Sequence, residues 1–257
     1  MTRTALITGA SAGLGAEFSR QLAAAGTNLV LVARRRDKLE ELADELRDAY
    51  GVEVRIEVAD MTDPDVAAWL FAETRAHNLQ IDILVNNAGS EAPDLIRSRD
   101  WPRNDAYLRL MMTSVAAMCH EFIPGMVERG YGRVLNVASV AGRMTVGGDY
   151  SYGPTKAYLI ALSKGLASAY KGQGVHVLAL CPGFTHTEFH VSERLTAMKQ
   201  ATPGFAWYDA DVVVREGLAA LEKGKDEYTS GRLYRFLVPV LRQRWMRGLL
   251  GMLGVKL

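Results

Sequence analysis

Short β-branched and aliphatic runs alternate along this chain with longer stretches of helical period, and that alternation constrains the fold more than any other feature. The runs occupy residues 5–8, 28–33, 52–58, 81–86, 132–139 and 175–181. Continuous apolar runs of this kind read as strands buried on both faces. Between the second and third, Leu39, Leu42, Ala43 and Leu46 recur at three- and four-residue intervals, while Glu40, Glu41, Glu45 and Arg47 take the other side. That is the apolar stripe of an amphipathic helix. Parallel strands need crossover connections, and right-handed crossovers place helices on both faces of a sheet. The expectation is an α/β fold, a doubly wound parallel sheet of about seven strands, with a late helix over 209–223 and residues 226–231 as the last strand. No linker divides the pattern, so 1–257 reads as one domain. Asp63 and Pro64 mark a helix start, a capping carboxylate followed by proline in the first turn.

The 257 residues are 49% hydrophobic and 23% charged, enough apolar material for a large core. Thirty Lys plus Arg against 29 Asp plus Glu leave a net charge of +1, too little for the general attraction to phosphate on which nucleic-acid binding rests. Cys119 and Cys181 offer neither a disulfide framework nor zinc-ligand spacing, and a reducing cytoplasm fits them. No apolar run approaches the ~18 residues of a membrane span. One local asymmetry remains: the tail 232–257 carries Arg232, Arg235, Arg242, Arg244, Arg247 and Lys256 without an acidic residue, among Leu, Val, Trp and Met. Such a segment suits an anionic membrane surface, a lid or a subunit contact.

The first strand runs into Gly9, Ser11, Ala12, Gly13, Leu14 and Gly15 and then into a helix. Glycine is needed where backbone must approach a phosphate, and a helix N-terminus supplies free N–H groups to hold it. The spacing is G-x-x-x-G-x-G rather than G-x-G-x-x-G. Asn86, Asn87, Ala88 and Gly89 end the fourth strand, Ser139 ends the fifth, and Tyr152 and Lys156 follow. Taken together over residues 3–187, these motifs resemble the short-chain dehydrogenase/reductase family. The resemblance implies a single Rossmann-type domain and an NAD(P)-dependent oxidoreductase that reduces a carbonyl or, in reverse, oxidises a secondary alcohol.

The chemistry is also legible from the residues themselves. Tyr152 and Lys156, four apart on a helix, share a face. A nearby ammonium favours phenolate and is expected to bring the phenol down from about 10 toward the working range. A tyrosine so tuned exchanges a proton with a substrate oxygen, which Ser139 would hold by a hydrogen bond. The second strand ends in Arg34, Arg35 and Arg36, with no carboxylate at 33 or 34. Guanidinium groups there suit a 2′-phosphate, so NADP is preferred over NAD, with Arg34 the first expected contact and Arg35 the second.

By resemblance, Lys156 also holds the nicotinamide ribose, Asp60 and Met61 lie beside the adenine, and Asn87, Ala88 and Gly89 line the cofactor, whereas Asn86 ties strands together. Pro182, Gly183, Thr185 and Thr187 are the expected nicotinamide-positioning segment. The resemblance further implies a homodimer or homotetramer built on helices near 105–130 and 150–173; Ala157, Ile160, Ala161 and Leu162, with the small Gly165 and Ala169, suit such a close-packed face, and burial against the chain's own sheet accounts for many of them equally well. One departure stands out: the position that usually carries an asparagine, relaying protons to the lysine, reads Met111. A thioether cannot replace an amide. Thr113 or Ser114 would have to substitute, or the chain is an NADP-binding sensor or interaction protein with little turnover.

The substrate is expected on the nicotinamide beneath the irregular segment 184–208, near 90–95 and 140–150. Candidate pocket residues Met144, Val146, Phe184, Phe189 and Trp207 favour a small hydrophobic ketone or secondary alcohol, although the same side chains also suit loop anchors in the core. His186, Glu188 and His190 do not follow the H-E-x-x-H zinc pattern, and no metal is expected.

Overall fold

In the computed structural model, which describes residues 2–144, 149–187 and 203–241, seven strands form one parallel sheet. They are β1 (Thr4–Thr8), β2 (Asn28–Ala33), β3 (Val54–Val58), β4 (Ile83–Asn86), β5 (Gly132–Val137), β6 (Val175–Cys181) and, at the far edge, β9 (Glu227–Thr229). Their order is β3-β2-β1-β4-β5-β6-β9, with every neighbouring pair parallel. A small second ladder pairs β7 (Thr185–His186) with β8 (Tyr208–Asp209). The doubly wound α/β expectation is met, including the last strand near 226–231.

Alternation along the strands sends side chains to two cores. Ala5 and Ile7 of β1 face one, with α1 (Gly13–Ala24), α2 (Arg36–Tyr50) and α7 (Ala210–Glu222) supplying Phe18, Leu39, Leu46 and Val214. Leu6 faces the other, with Leu70 of α3 (Val66–Ala76), Met118 and Phe122 of α5 (Ser114–Glu128) and Leu159 of α6 (Tyr152–Ala169). Strand order reverses between β1 and β4, which opens a crevice at their carboxyl ends.

Two local expectations change. Asp63 accepts from Asp65 N–H at 2.9 Å and stabilises a turn, so α3 begins at Val66 rather than at Pro64. Helix α4 (Trp101–Leu108) continues through a π-helical turn at Arg109–Thr113 into α5, and this rod, Trp101–Glu128, is the one helix among the described residues long and apolar enough to cross a membrane. Its length came from apolar residues interrupted by polar ones, which no single run displayed. Val115, Met118, Phe122 and Met126 are buried under the sheet, which accounts for that composition in a core helix.

Candidate active site

The glycine loop is closed from below by the end of β4. A Cβ at Gly9 would lie 2.9 Å from the Ala88 Cα, one at Gly15 only 2.1 Å from the Gly9 carbonyl oxygen, and one at Gly13 3.2 Å from the Thr187 Cβ. Gly9 and Gly13 also have φ of 68° and 55°, the left-handed region that glycine enters without penalty. Asn87 locks the loop: its Nδ2 donates to the carbonyls of Thr8 (3.0 Å) and Gly9 (3.2 Å). The Thr8 hydroxyl accepts from the N–H groups of Asn87 and Ala88, each at 3.1 Å. The following helix has extended Ala12 at its N-cap, no side-chain cap and no acidic residue in its first turn. Its positive end thus carries no anion of its own, and a dinucleotide pyrophosphate fits that donor set, while the glycines let the loop pack closely on β4 and Thr187.

Beside the loop the arginines divide. Arg35 reaches back to Ser11, donating to its hydroxyl at 3.1 Å and its carbonyl at 3.3 Å. Arg34 turns to Asp60, 3.8 Å away, in an exposed pair of the kind that contributes little. Asp60 also accepts from Thr62 N–H at 2.9 Å and so stabilises its own turn. Met61 is a core residue. Asn86 does join strands: its Nδ2 donates to Asn136 on β5 at 2.8 Å, and Asn136 donates to Ser163 on α6 at 2.9 Å.

Ser139 caps a 3-10 turn, Val140–Arg143, by accepting from Ala141 N–H at 3.1 Å, and its hydroxyl is hydrogen-bonded to the Tyr152 phenol. Asp149 holds the first turn of α6 by accepting from Gly153 N–H at 2.8 Å and Ser151 N–H at 3.3 Å. Lys156, 5% exposed, donates from Nζ to the Val137 carbonyl at 2.7 Å and lies 5.7 Å from the centroid of the Tyr152 ring. Serine, tyrosine and lysine are therefore gathered at one place, across the crevice from the glycine loop.

The electrostatics differ from expectation. Burial pushes the Tyr152 phenol up, the Ser139 hydrogen bond opposes this, and the Asp149 charge adds to it. Burial also lowers Lys156 to about 8. The expected lowering of Tyr152 by the ammonium does not occur, because desolvation of the phenolate outweighs every favourable contact in this closed setting. Met111 is 1% exposed with its sulfur against Gly89. Neither proposed substitute reaches the lysine: the Ser114 hydroxyl donates to Leu110 C=O at 2.9 Å, and Thr113 is exposed.

At the substrate side, Phe184 stacks on Trp207 with centroids 5.1 Å apart, and His186 stacks on the same indole at 5.2 Å. Trp207 is buried, so it braces the segment rather than presenting an open face. Met144 and Phe184 are partly exposed, whereas Val146, Phe189, Glu188 and His190 lie outside the described residues, as do residues 242–257 of the tail. Thr185 is buried, with its hydroxyl donating to Gly183 C=O at 3.1 Å. Among the described residues no group of three His, Cys, Asp or Glu could hold a metal ion.

Two contributors escaped the sequence reading. Tyr234 of α8 (Arg232–Leu241) lies on Gly183, where a Cβ would come 2.0 Å from its ring, and its hydroxyl donates to Ala206 C=O at 2.8 Å and accepts from Phe184 N–H at 3.3 Å. Arg143 donates to Thr229 Oγ1 at 2.7 Å and pairs with Glu227 on β9, tying the turn after Ser139 to the sheet edge. A tyrosine in a basic tail and an arginine in a turn carry no local signal of these distant partners.

The short chain dehydrogenase family profile matches residues 3–197. Among curated proteins, the very-long-chain 3-oxoacyl-CoA reductase of Anas platyrhynchos is 31% identical over 240 residues, covering 89% of this chain and 71% of that protein. The human and bovine proteins of the same name are matched over 65% and 62% of their length. The 7beta-hydroxysteroid dehydrogenase of Collinsella aerofaciens is 31% identical over 71% of this chain and 68% of its own. Among solved structures, a 7beta-hydroxysteroid dehydrogenase superposes with a TM-score of 0.83 at 26% identity, over 94% of this chain and 92% of that one. A short-chain dehydrogenase from Sphingobium yanoikuyae in complex with NADPH gives 0.79 at 30% identity, over 98% and 94%. With the glycine loop, the sheet order and these matches in agreement, the chain belongs to the short-chain dehydrogenase/reductase family and is an NAD(P)-dependent oxidoreductase.

Proposed function

We propose that the protein reduces a carbonyl on a small, mostly hydrophobic substrate with NADPH, and catalyses the reverse oxidation of the secondary alcohol. The carrying observation is the packing of Tyr152 against Ser139, with Lys156 behind it on the same helix face. A bound nicotinamide would supply the hydride to the carbonyl carbon. Ser139 holds the carbonyl oxygen as negative charge develops on it. Tyr152 delivers its phenolic proton to that oxygen, which completes the alcohol. A phenol raised by burial is protonated at neutral pH and suits the reductive direction. Lys156 would compensate the tyrosinate left behind and, with a cofactor bound, would hold the nicotinamide ribose.

Gly9, Ser11, Gly13, Gly15, Asn87, Ala88, Gly89 and the Pro182–Thr187 segment would hold the cofactor. NADP is preferred because the second strand ends in arginines with no carboxylate at 33 or 34 to bind a 2′-hydroxyl; Arg34 is the first contact and Arg35, which crosses the loop to Ser11, the second. The neighbour from Sphingobium yanoikuyae was solved with NADPH. Met144 and Phe184 supply apolar surface for the substrate. Hydrophobic substrates also agree with the related 7beta-hydroxysteroid dehydrogenase and with a structural neighbour described as a bulky-bulky ketone specific alcohol dehydrogenase, 27% identical with a TM-score of 0.76. Following NADPH oxidation over a panel of apolar ketones tests this. Tyr152→Phe should lower kcat about 10²- to 10⁴-fold with cofactor affinity retained; turnover equal to wild type would refute the assignment.

A further inference from the structure

The turn that follows Ser139 is held at its start, its middle and its end. At the start, Val140 N–H donates to Pro182 C=O at 3.0 Å, just past β6. In the middle the turn lies directly on the main chain of α6. A Cβ at Gly142 would fall 2.6 Å from the Lys156 carbonyl carbon and 2.7 Å from the Ala157 nitrogen, and one at Gly153 would fall 3.1 Å from the Ala141 carbonyl oxygen. At the end, Arg143 reaches β9, where Nη1 donates to Thr229 Oγ1 at 2.7 Å and Nε lies 2.9 Å from Glu227 Oε1. Glu227 and Thr229 are two apart on that strand and so present their oxygens on one side of it.

Glu227 does more than receive the arginine. Its second oxygen, Oε2, lies 3.1 Å from Nζ of Lys164, about two turns beyond Lys156 on α6. The Cys181 thiol, at the end of β6, donates to Oε1 at 3.9 Å. One carboxylate thus bridges the turn that Ser139 opens and the helix that carries Tyr152 and Lys156. Its side chain is 13% exposed and that of Arg143 19%, a setting in which taking two charges out of water offsets much of their attraction. The consequence of the bridge is therefore sought in geometry rather than in net stability. The glycine contacts fix how closely the turn can approach α6, and the bridge supplies the attraction that draws the two elements to that limit.

We propose that Glu227 is a positioning residue for proton delivery: by drawing Arg143 and Lys164 to one point, it holds the Ser139 hydroxyl within hydrogen-bonding reach of the Tyr152 phenol. The role rests on the carbonyl-reductase reading, in which those two groups share the substrate oxygen. Ser139 opens the 3-10 turn and Arg143 closes it, so releasing the arginine tilts the turn at the serine. The serine hydroxyl already serves the Ala141 N–H and the phenol, and a displacement of about 1 Å at such a group costs about 10²-fold in rate. Glu227 itself touches neither the phenol nor the serine and acts only through the two elements it joins.

The test is a double-mutant cycle on ketone reduction by the full-length protein, with Tyr152→Phe as the control for the reading itself. Glu227→Gln should lower kcat about 10- to 100-fold and leave the KM for the ketone and the affinity for NADPH within about twofold. In a Ser139→Ala background the same substitution should cost less than about twofold further, because the path through the serine is already lost. A role in folding alone would give the same loss in both backgrounds, in step with a lower thermal midpoint. A kcat equal to wild type, an equal loss with and without Ser139, or weaker NADPH binding in place of the lower kcat would overturn the proposal. If Glu227→Gln fails to fold, Arg143→Lys keeps the charge, loses the fork to Thr229 and carries the same pair of predictions. Turnover undiminished in both Tyr152→Phe and Ser139→Ala, or absent in wild type over the ketone panel, would instead remove the carbonyl-reductase reading and the positioning role with it.

Discussion

Lys156 shows how burial sets the chemistry of a single side chain. Its pKa of about 8 comes chiefly from desolvation, opposed by the neighbouring Cys181. The folded value lies below the ordinary 10.5, so below about pH 8 both folded and unfolded chains hold the proton and the folded state bears the full cost of a buried ammonium. That cost is on the order of 3 kcal/mol. Between about 8 and 10.5 the unfolded chain binds more protons, and stability rises with pH until the cost has gone. Lys156→Met should therefore stabilise the cofactor-free protein by roughly 1–3 kcal/mol at pH 7, after loss of the bond to Val137 C=O. The advantage should shrink toward pH 10.5, as read from denaturant unfolding at each pH. Arg35 is the other residue on which a sharp outcome rests. Replacing it with Gln should weaken NADPH binding about tenfold or more while leaving NADH nearly unaffected. Fluorescence titration with both cofactors measures this, and equal losses would remove the 2′-phosphate role.

At the scale of elements, the turn between β1 and α1 depends on absent side chains. Gly15 leaves its Cβ position 2.1 Å from the Gly9 carbonyl and 2.6 Å from Asn87 Nδ2, so an added methyl must push the helix off the strand. Gly15→Ala should lower the thermal midpoint and weaken NADPH binding at least about tenfold, the two losses moving together because one displacement causes both. A calorimetric scan paired with a binding titration checks it. The α6 start has a similar economy: Asp149, the 3-10 turn and the Arg143–Glu227 pair fix Ser139 and Tyr152 from three directions. Asp149 and Ala141 are chain neighbours of what they hold, whereas Glu227 comes from the far edge strand, so the motif names the proposed reacting groups and stays silent about that distant support.

At the scale of the whole molecule, we propose that copies of the chain associate through the exposed face of α6. Ala157, Ala161, Gly165 and Ala169 are exposed on α6, with nothing within 4 Å of a Cβ built at Gly165. Small side chains at this spacing let a partner helix approach closely, as expected of a dimer or tetramer built on the helices flanking β5. Ala161→Arg should then yield a smaller species in light scattering behind a sizing column, with the monomer's thermal midpoint reduced. An unchanged mass would place the interface elsewhere.

The amino-acid sequence alone determined the doubly wound sheet, the glycine loop, and the identity of Ser139, Tyr152 and Lys156 as a group. Those are local matters: apolar periodicity decides element type, and a motif is a spacing along the chain. The tertiary structure decided what spacing cannot encode. It set the direction in which the Tyr152 and Lys156 pKa values shift, since desolvation depends on everything packed around them. It turned Trp207 from an expected pocket wall into a buried brace, sent Arg34 to Asp60 and Arg35 to Ser11, and laid Tyr234 of the tail on Gly183. Burial and long-range contact belong to the folded surroundings of a residue, and only the assembled sheet with its helices defines them.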